Sequence, residues 1–267
     1  KRLRNEFTGV LTGKKLGWGG SHMRTEATGY GAVYFMHEML QKAGKGGLEG
    51  KTVVISGSGN VALHAAEKCM AMGATVVSLS DSGGTIHDPA GLDEEKLAWI
   101  KDLKDVKRGR IKDVSGQFSG VDFLEGKGPW AIPCDLAFPC ATQNEVGAAE
   151  AKALVDGGCV AVAEGANMPC TPEAVEVLRA AGVLFGPAKA ANAGGVATSG
   201  LEMSQNALRL QWDAEDVDLR LLTIMKSIHA QCVKYGERED GTVDYVRGAN
   251  LAAFVKVADA MVDQGLM

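Results

Sequence analysis

No C-x-x-C pair, no H-E-x-x-H and no long apolar run occurs in this chain of 267 residues. The six cysteines (Cys69, Cys134, Cys140, Cys159, Cys170, Cys232) are scattered, several within apolar runs. That pattern excludes a zinc or disulfide framework and fits free buried thiols in a reducing compartment, so the expected location is cytoplasmic. The five histidines are equally dispersed, and no metal site is expected. No apolar stretch approaches the roughly 20 residues of a membrane span. The opening KRLRNEFTGVLTGKK has basic residues without the apolar core of a signal peptide. Excess positive charge is also lacking: a net charge of −5 and a pI near 5.6 argue against nucleic acid as a main partner. Internal repeats and low-complexity tracts are absent. With 46% hydrophobic and 23% charged residues, the chain can bury a normal core in one large domain or one domain with an appendage.

What is present is organised around Thr52 to Gly84, TVVISGSGNVALHAAEKCMAMGATVVSLSDSGG. Val53, Val54 and Ile55 form a β-branched run suited to a strand buried on both faces. The run breaks at Gly57-Ser58-Gly59-Asn60-Val61-Ala62, a G-x-G-x-x-A turn, and an amphipathic helix follows. Gly73 is placed to end that helix in a left-handed cap, and Thr75–Leu79 reads as a second buried strand. Asp81 follows at its end. A βαβ unit with glycines at its first turn and an acid past its second strand is the dinucleotide-binding fingerprint. Gly57 permits the tight turn, and Gly59 has no Cβ to block a pyrophosphate. Ala62 is small enough for close helix–strand packing, and the free N–H groups of the helix start attract the phosphate.

Upstream, residues 1–20 read as an irregular, glycine-rich lead-in, and Val33, Phe35, Met36, Met39 and Leu40 at helical spacing predict a helix running to about Ala43. Arg24, at that helix's entrance, is either a surface arginine or an anion grip, because a buried arginine needs a partner. Downstream, Ser82–Gly91 reads as a loop and Asp93–Lys104 as a helix. Lys101, Lys104, Lys107, Arg108, Arg110 and Lys112 form a basic run that is either a solvated face or a cation source for a ribose 2′-phosphate. Strands at Cys134–Phe138, Val160–Ala163 and Val183–Phe185 alternate with helices at Val146–Val155 and Thr171–Ala180. The alternation predicts an α/β fold, a Rossmann-like doubly wound and mostly parallel sheet with helices on both faces and extra C-terminal helices. Ligands of such sheets lie beyond the strands' carboxyl ends, where Ala141-Thr142, Asn167 and Asn192 fall; each is otherwise an ordinary turn residue. The expected division is a lead-in over 1–20, a dinucleotide-binding domain over 21–200, and C-terminal helices over 201–267 that brace the sheet or reach another domain.

SHMRTEATGYG (21–31), SGSGNVA (56–62), PCATQN (139–144), AEGANMP (163–169), AKAANAGGVATS (188–199), LEMSQN (201–206) and GANLAAFVKVADAM (248–261) together resemble the hexameric glutamate dehydrogenases, in particular the NADP type. Thr25 stands where many members have proline, and His22 and Met23 where aliphatics are usual. The resemblance implies that an N-terminal substrate domain bearing the catalytic residues precedes this chain, that no catalytic residue lies within it, and that the complete protein is a homo-hexamer. The implied reaction is reversible oxidative deamination of L-glutamate to 2-oxoglutarate and ammonia.

Under that resemblance Arg24, Val196 and Ser199 match substrate-side positions, with Arg24 and Ser199 reaching the carboxylates. Thr28, Asn60, Asn167 and Asn192 match the nicotinamide end, and Ala141 and Thr142 the adenosine ribose. Gly57, Ser58, Gly59 and Val61 belong to the phosphate loop. Asp81 alone favours NAD, since a carboxylate repels a 2′-phosphate. Ser82, Lys104 and Arg110 match positions where NADP-type members hold that phosphate, so NADP is the expected cofactor. The rival readings are a leucine-, valine- or phenylalanine-type dehydrogenase, whose substrates lack the side-chain carboxylate served by Ser199, and a non-catalytic nucleotide-binding domain. A short-chain dehydrogenase is set aside because no Tyr-x-x-x-Lys follows the glycine loop.

Overall fold

A computed structural model describes residues 9–265. Of the expected lead-in, residues 1–8 lie outside this range; residues 9–20 form turns and one 3-10 turn, Leu16–Trp18. Seven strands make one sheet: β1 (Thr52–Ile55), β2 (Thr75–Asp81), β3 (Gly84–His87), β4 (Asp122–Glu125), β5 (Leu136–Phe138), β6 (Ala161–Ala163) and β7 (Leu184–Gly186). Their order across the sheet is β4-β3-β2-β1-β5-β6-β7. The five from β2 to β7 are parallel, and β3 and β4 are antiparallel additions at one edge. The fold is the expected Rossmann-like, doubly wound α/β sheet.

One expected loop is overturned. The stretch read as a loop after Asp81 contains β3, whose Gly84 and Thr85 pair with Asp81 and Ser80 of β2. The reversal takes only Ser82 and Gly83, a two-residue hairpin that leaves no loop between the strands.

Alternate strand residues feed two cores, as a sheet covered on both faces requires. Val53, Ile55, Leu136 and Phe138 face one, and Val54, Ala137 and Val162 the other. The first face is covered by α1 (Ala27–Lys42), α2 (Asn60–Ala71) and, outside α1, α9 (Ala214–Gly236). A Cβ on Gly29 would lie 2.6 Å from the Val61 carbonyl oxygen, and one on Gly31 2.9 Å from the Gly194 Cα. These two positions let α1 sit flush between α2 and α8 (Gly194–Leu208). The opposite face carries α5 (Ala148–Asp156) and α6 (Pro172–Ala180), the latter capped by the Thr171 hydroxyl with Pro172 in its first turn.

After β3, α3 (Glu94–Lys101) widens into a π turn over Asp102–Val106, and α4 spans Asp113–Gln117. The helix expected over Asp93–Lys104 is therefore α-helical only to Lys101, with Asp93 as its N-cap. A short α7 (Ala188–Ala191) leads into α8, and α10 (Tyr245–Gln264) packs on α9 and β7. Residue 200 falls inside α8. Glu202 of α8 accepts from the Gly13 N–H at 2.8 Å and pairs with Lys14, which ties the lead-in to this helix.

Candidate functional site

Strand order reverses between β1 and β5, so the loops leaving them diverge and open a crevice at the sheet's carboxyl end. The β1 loop is fastened from both sides. The Gly57 N–H donates to Ser80 Oγ at 2.8 Å, and its carbonyl accepts from the Ser80 N–H at 3.0 Å. The Cys140 N–H donates to Ser56 Oγ at 2.9 Å. Gly57 has φ +87, a left-handed conformation that disfavours any side chain. Beyond it, α2 begins without a side-chain cap, and its first internal bond runs from the Leu63 N–H to the Gly59 carbonyl. The N–H groups before Leu63 have no intrahelical acceptor. A Cβ on Gly59 would meet nothing within 4 Å, so this N-terminus opens on free space. Uncapped donors beside open space suit a phosphate.

Arg24, Thr28, Val61, Ala141, Thr142, Asn167, Asn192 and Val196 line one cleft of about 690 Å³. Asp81, Ser82, Ala141 and Thr142 line an adjoining groove of about 1000 Å³, together with Trp130 and Ile132. Ala141 and Thr142 belong to both, so the two cavities adjoin at this loop. Gly57 and Ser58 lie buried behind the loop, whereas Gly59 and Asn60 are exposed at the helix start. Ser199 lies one helical turn beyond Val196 on α8, half-buried and outside both cavities.

In the groove, Asp81 Oδ2 accepts from the Ile111 N–H at 3.0 Å, and Oδ1 from the Gly83 N–H at 2.8 Å. Lys104 Nζ stands 3.5 Å and the Arg110 guanidinium 3.8 Å from Oδ2. Burial pushes the Asp81 carboxyl up, but the two N–H bonds and two cations outweigh it and hold the group below the usual carboxylate range. Arg110 also donates to Ser82 Oγ at 2.9 Å. The carboxylate is thus fully engaged, and the cations around it outnumber it by one.

In the cleft, Asn192 Nδ2 donates to Asn167 Oδ1 at 2.9 Å and to the Ala166 carbonyl at 3.2 Å, joining the loops after β6 and β7. Arg24 sits beside Thr28 and Gly195: a Cβ on Gly195 would lie 2.4 Å from Thr28 Oγ1 and 3.7 Å from the Arg24 guanidinium. The Arg24 Nε is buried with no hydrogen-bond partner. A half-buried cation that lines a cleft is suited to an incoming carboxylate.

Two glutamates escaped the sequence reading. Glu145 accepts from the Ala141 and Thr142 N–H groups at 2.9 and 3.2 Å and so shapes the loop shared by both cavities. Glu164, only 5% exposed, accepts from the N–H of Cys170 at 3.1 Å and of Ala188 at 2.6 Å, clamping the β6 loop to α7. Burial raises both carboxyls above their ordinary range against these bonds. Both lie within or directly after the motifs PCATQN and AEGANMP, where an acid beside small residues was the available signal. Gly165 was also missed: a Cβ there would lie 2.4 Å from Cys140 Sγ. Among the described residues no group of three or more metal-ligating side chains is clustered, and no helix is long and apolar enough to cross a membrane.

A doubly wound sheet with a glycine turn and an uncapped helix at its switch point defines a dinucleotide-binding domain of the dehydrogenase class. The Glutamate/Leucine/Phenylalanine/Valine dehydrogenase family model matches residues 19–265, and the chain belongs to that family. The NAD(P)-specific glutamate dehydrogenase of Xylanibacter ruminicola is 56% identical over 266 residues, all of this chain and 60% of its own length. The NADP-specific glutamate dehydrogenase of Haemophilus influenzae is 55% identical over 267 residues, all of this chain and 59% of its own. The solved glutamate dehydrogenase of Plasmodium falciparum superposes with a TM-score of 0.95 at 45% identity, covering all of this chain and 57% of that one. The chain thus spans about 60% of the length of the curated relatives it matches.

Proposed function

We propose that this chain is the cofactor-binding part of an NADP-dependent glutamate dehydrogenase, with residues 21–200 as the nucleotide domain and 201–267 as helices that brace it. The observation that carries the reading is the pair of adjoining cavities that share Ala141 and Thr142, one lined by Asp81 beside Lys104 and Arg110 and the other lined by Arg24. The relatives' names support glutamate as substrate and, in several cases, NADP as the specific cofactor.

The residues fit the cofactor. The N–H groups at the start of α2, held open by Gly57, Ser58 and Gly59, would hold the pyrophosphate. Ser82, Lys104 and Arg110 would hold the 2′-phosphate, with Asp81 kept aside by its two N–H bonds. Ala141 and Thr142 would flank the ribose, Val61 the phosphates, and Thr28, Asn60, Asn167 and Asn192 the nicotinamide end. When bound, the cofactor supplies or accepts the hydride. Arg24 would orient a substrate carboxylate beside Val196, and Ser199 the side-chain carboxylate. The groups that move protons would come from protein outside this sequence, as would most hexamer contacts, so this chain alone is expected to bind without turnover.

The test is substrate choice in the full-length enzyme. With NADPH and ammonium, 2-oxoglutarate is expected to be reduced and 4-methyl-2-oxopentanoate hardly at all. Arg24→Ala is expected to lower kcat/KM for 2-oxoglutarate about a hundredfold, as loss of a charge-assisted pair does, with NADPH affinity unchanged. Preference for the branched acid would overturn the substrate reading.

A further inference from the structure

A separate cavity, of about 500 Å³, lies at the opposite end of the sheet from the nucleotide cleft. Its lining includes Val183, just before β7, and Phe185 within it. Asn192, Gly195 and Val196, which follow the end of the same strand, line the nucleotide cleft instead. The cavity shares no residue with that cleft or its adjoining groove.

The cavity combines an apolar wall with a cluster of cations. Val183, Phe185, Val243 and Val246 give it a hydrophobic wall, and Lys42, Lys45, Arg179 and Arg238 stand around it. Its acids are Asp240 and Asp244. This excess of cations is local, because the chain as a whole carries −5.

The acids leave the cations short of partners. Asp244 Oδ2 takes a hydrogen bond from each of the two guanidiniums, Arg238 at 2.9 Å and Arg179 closer still. Asp244 Oδ1 is occupied capping α10 through the Arg247 N–H at 3.1 Å. One carboxylate therefore faces two arginines, each bonded to it through a single nitrogen. Arginine has five donors in a fork that matches an oxyanion, so both retain capacity for another. Asp240 is turned onto Thr242, accepting from its N–H at 2.9 Å and its hydroxyl at 2.6 Å. Lys42 pairs with Glu237 at 2.6 Å, whereas Lys45 is exposed at the rim and has no acidic partner among the described residues.

We propose that this cavity binds a small organic oxyanion, a phosphate or carboxylate carried on an apolar body. The headgroup meets Arg179, Arg238 and Lys45, and the body lies on the valines and Phe185. The proposal is independent of the cofactor assignment, since the two sites lie at opposite ends of the sheet.

Phenyl phosphate and phenylacetate are the probes, titrated separately into this chain and followed by backbone amide chemical shifts. The expected result is saturable shifts, in the millimolar range or tighter, at Val183, Phe185, Val243 and Val246. The tighter probe identifies the headgroup. Arg238→Gln is expected to weaken binding about tenfold, the loss of one charge-assisted hydrogen bond. Lys45→Gln, at the exposed rim and outside any ion pair, is expected to weaken it by about threefold, as a screened surface charge does; it decides the matter if Arg238→Gln disturbs the fold. Absence of saturable shifts with both probes overturns the proposal. So do shifts confined to Gly57–Val61, or affinity unchanged in the folded variants.

Discussion

Lys104 Nζ stands 3.5 Å from Asp81 Oδ2 at the end of β2, and the Arg110 guanidinium stands 3.8 Å from the same oxygen. Lys104 is carried by the π turn that continues α3, and its ammonium also donates to the Gly109 carbonyl at 3.0 Å. A carboxylate that would repel a 2′-phosphate is thereby answered by two cations. Lys104→Ala is expected to weaken NADPH binding about tenfold while changing NADH little, because one charge-assisted bond contributes roughly 1.5–3 kcal/mol and only NADPH makes it. Fluorescence titration of the variant with both nucleotides checks this; an unchanged ratio of affinities refutes the role of Lys104.

Gly165 is where the loop after β6 passes Cys140. Gly165→Ala would press a methyl group against Sγ and, at 3.1 Å, against Val61 Cγ1. The variant is expected to lose about 1–3 kcal/mol of stability, the usual cost of overpacking, and to bind nucleotide more weakly. Adding Cys140→Ala removes the nearer obstacle, so the double variant should recover part of the loss. Denaturant unfolding of both singles and the double reads the coupling.

His229, on α9, faces α10, its Nε2 3.0 Å from the Tyr245 hydroxyl and its ring edge-on to Phe35. Burial, with Lys42 adding to it, lowers its pKa to about 4. Because a depressed base binds its proton more readily unfolded, stability falls as pH drops from about 6.5 towards 4, by up to about 3 kcal/mol. His229→Gln should flatten that slope. The measurement is unfolding free energy of parent and variant at pH 7, 6, 5 and 4.5; parallel curves would refute it.

Glu202 holds residues 13 and 14 to α8 through the Gly13 N–H and the Lys14 ammonium. Glu202→Ala is expected to speed limited proteolysis within residues 9–20 several-fold, with the sheet's cooperative unfolding retained, because the lead-in's link is local. Mass spectrometry of the early cleavage products distinguishes this from cleavage elsewhere.

The β1–turn–α2–β2 unit was legible in the sequence because its signals are local: a β-branched run, glycines at fixed spacing and a left-handed stop at Gly73, whose φ is +82. The β3–β4 pair was not. Each strand has four residues, and the pairing joins Gly84–His87 to residues 122–125, far along the chain. Strand propensity over so short a run is too weak to be read without the partner. The basic run was visible but its two meanings were not separable, since that depends on a π turn bringing Lys104 back to Asp81. Glu145 and Glu164 act on backbone N–H groups of neighbouring loops, and those N–H groups carry no signature in residue type. Arg24 was legible as a cation at a helix entrance, whereas its unpartnered Nε is a property of the packed structure.

The most direct measurement is titration of this chain with NADPH and with NADH, followed by nucleotide fluorescence. The account predicts saturable binding of both, with NADPH tighter by about tenfold or more. Binding of neither would contradict the nucleotide site, and equal or tighter binding of NADH would contradict the role given to Lys104 and Arg110 at Asp81.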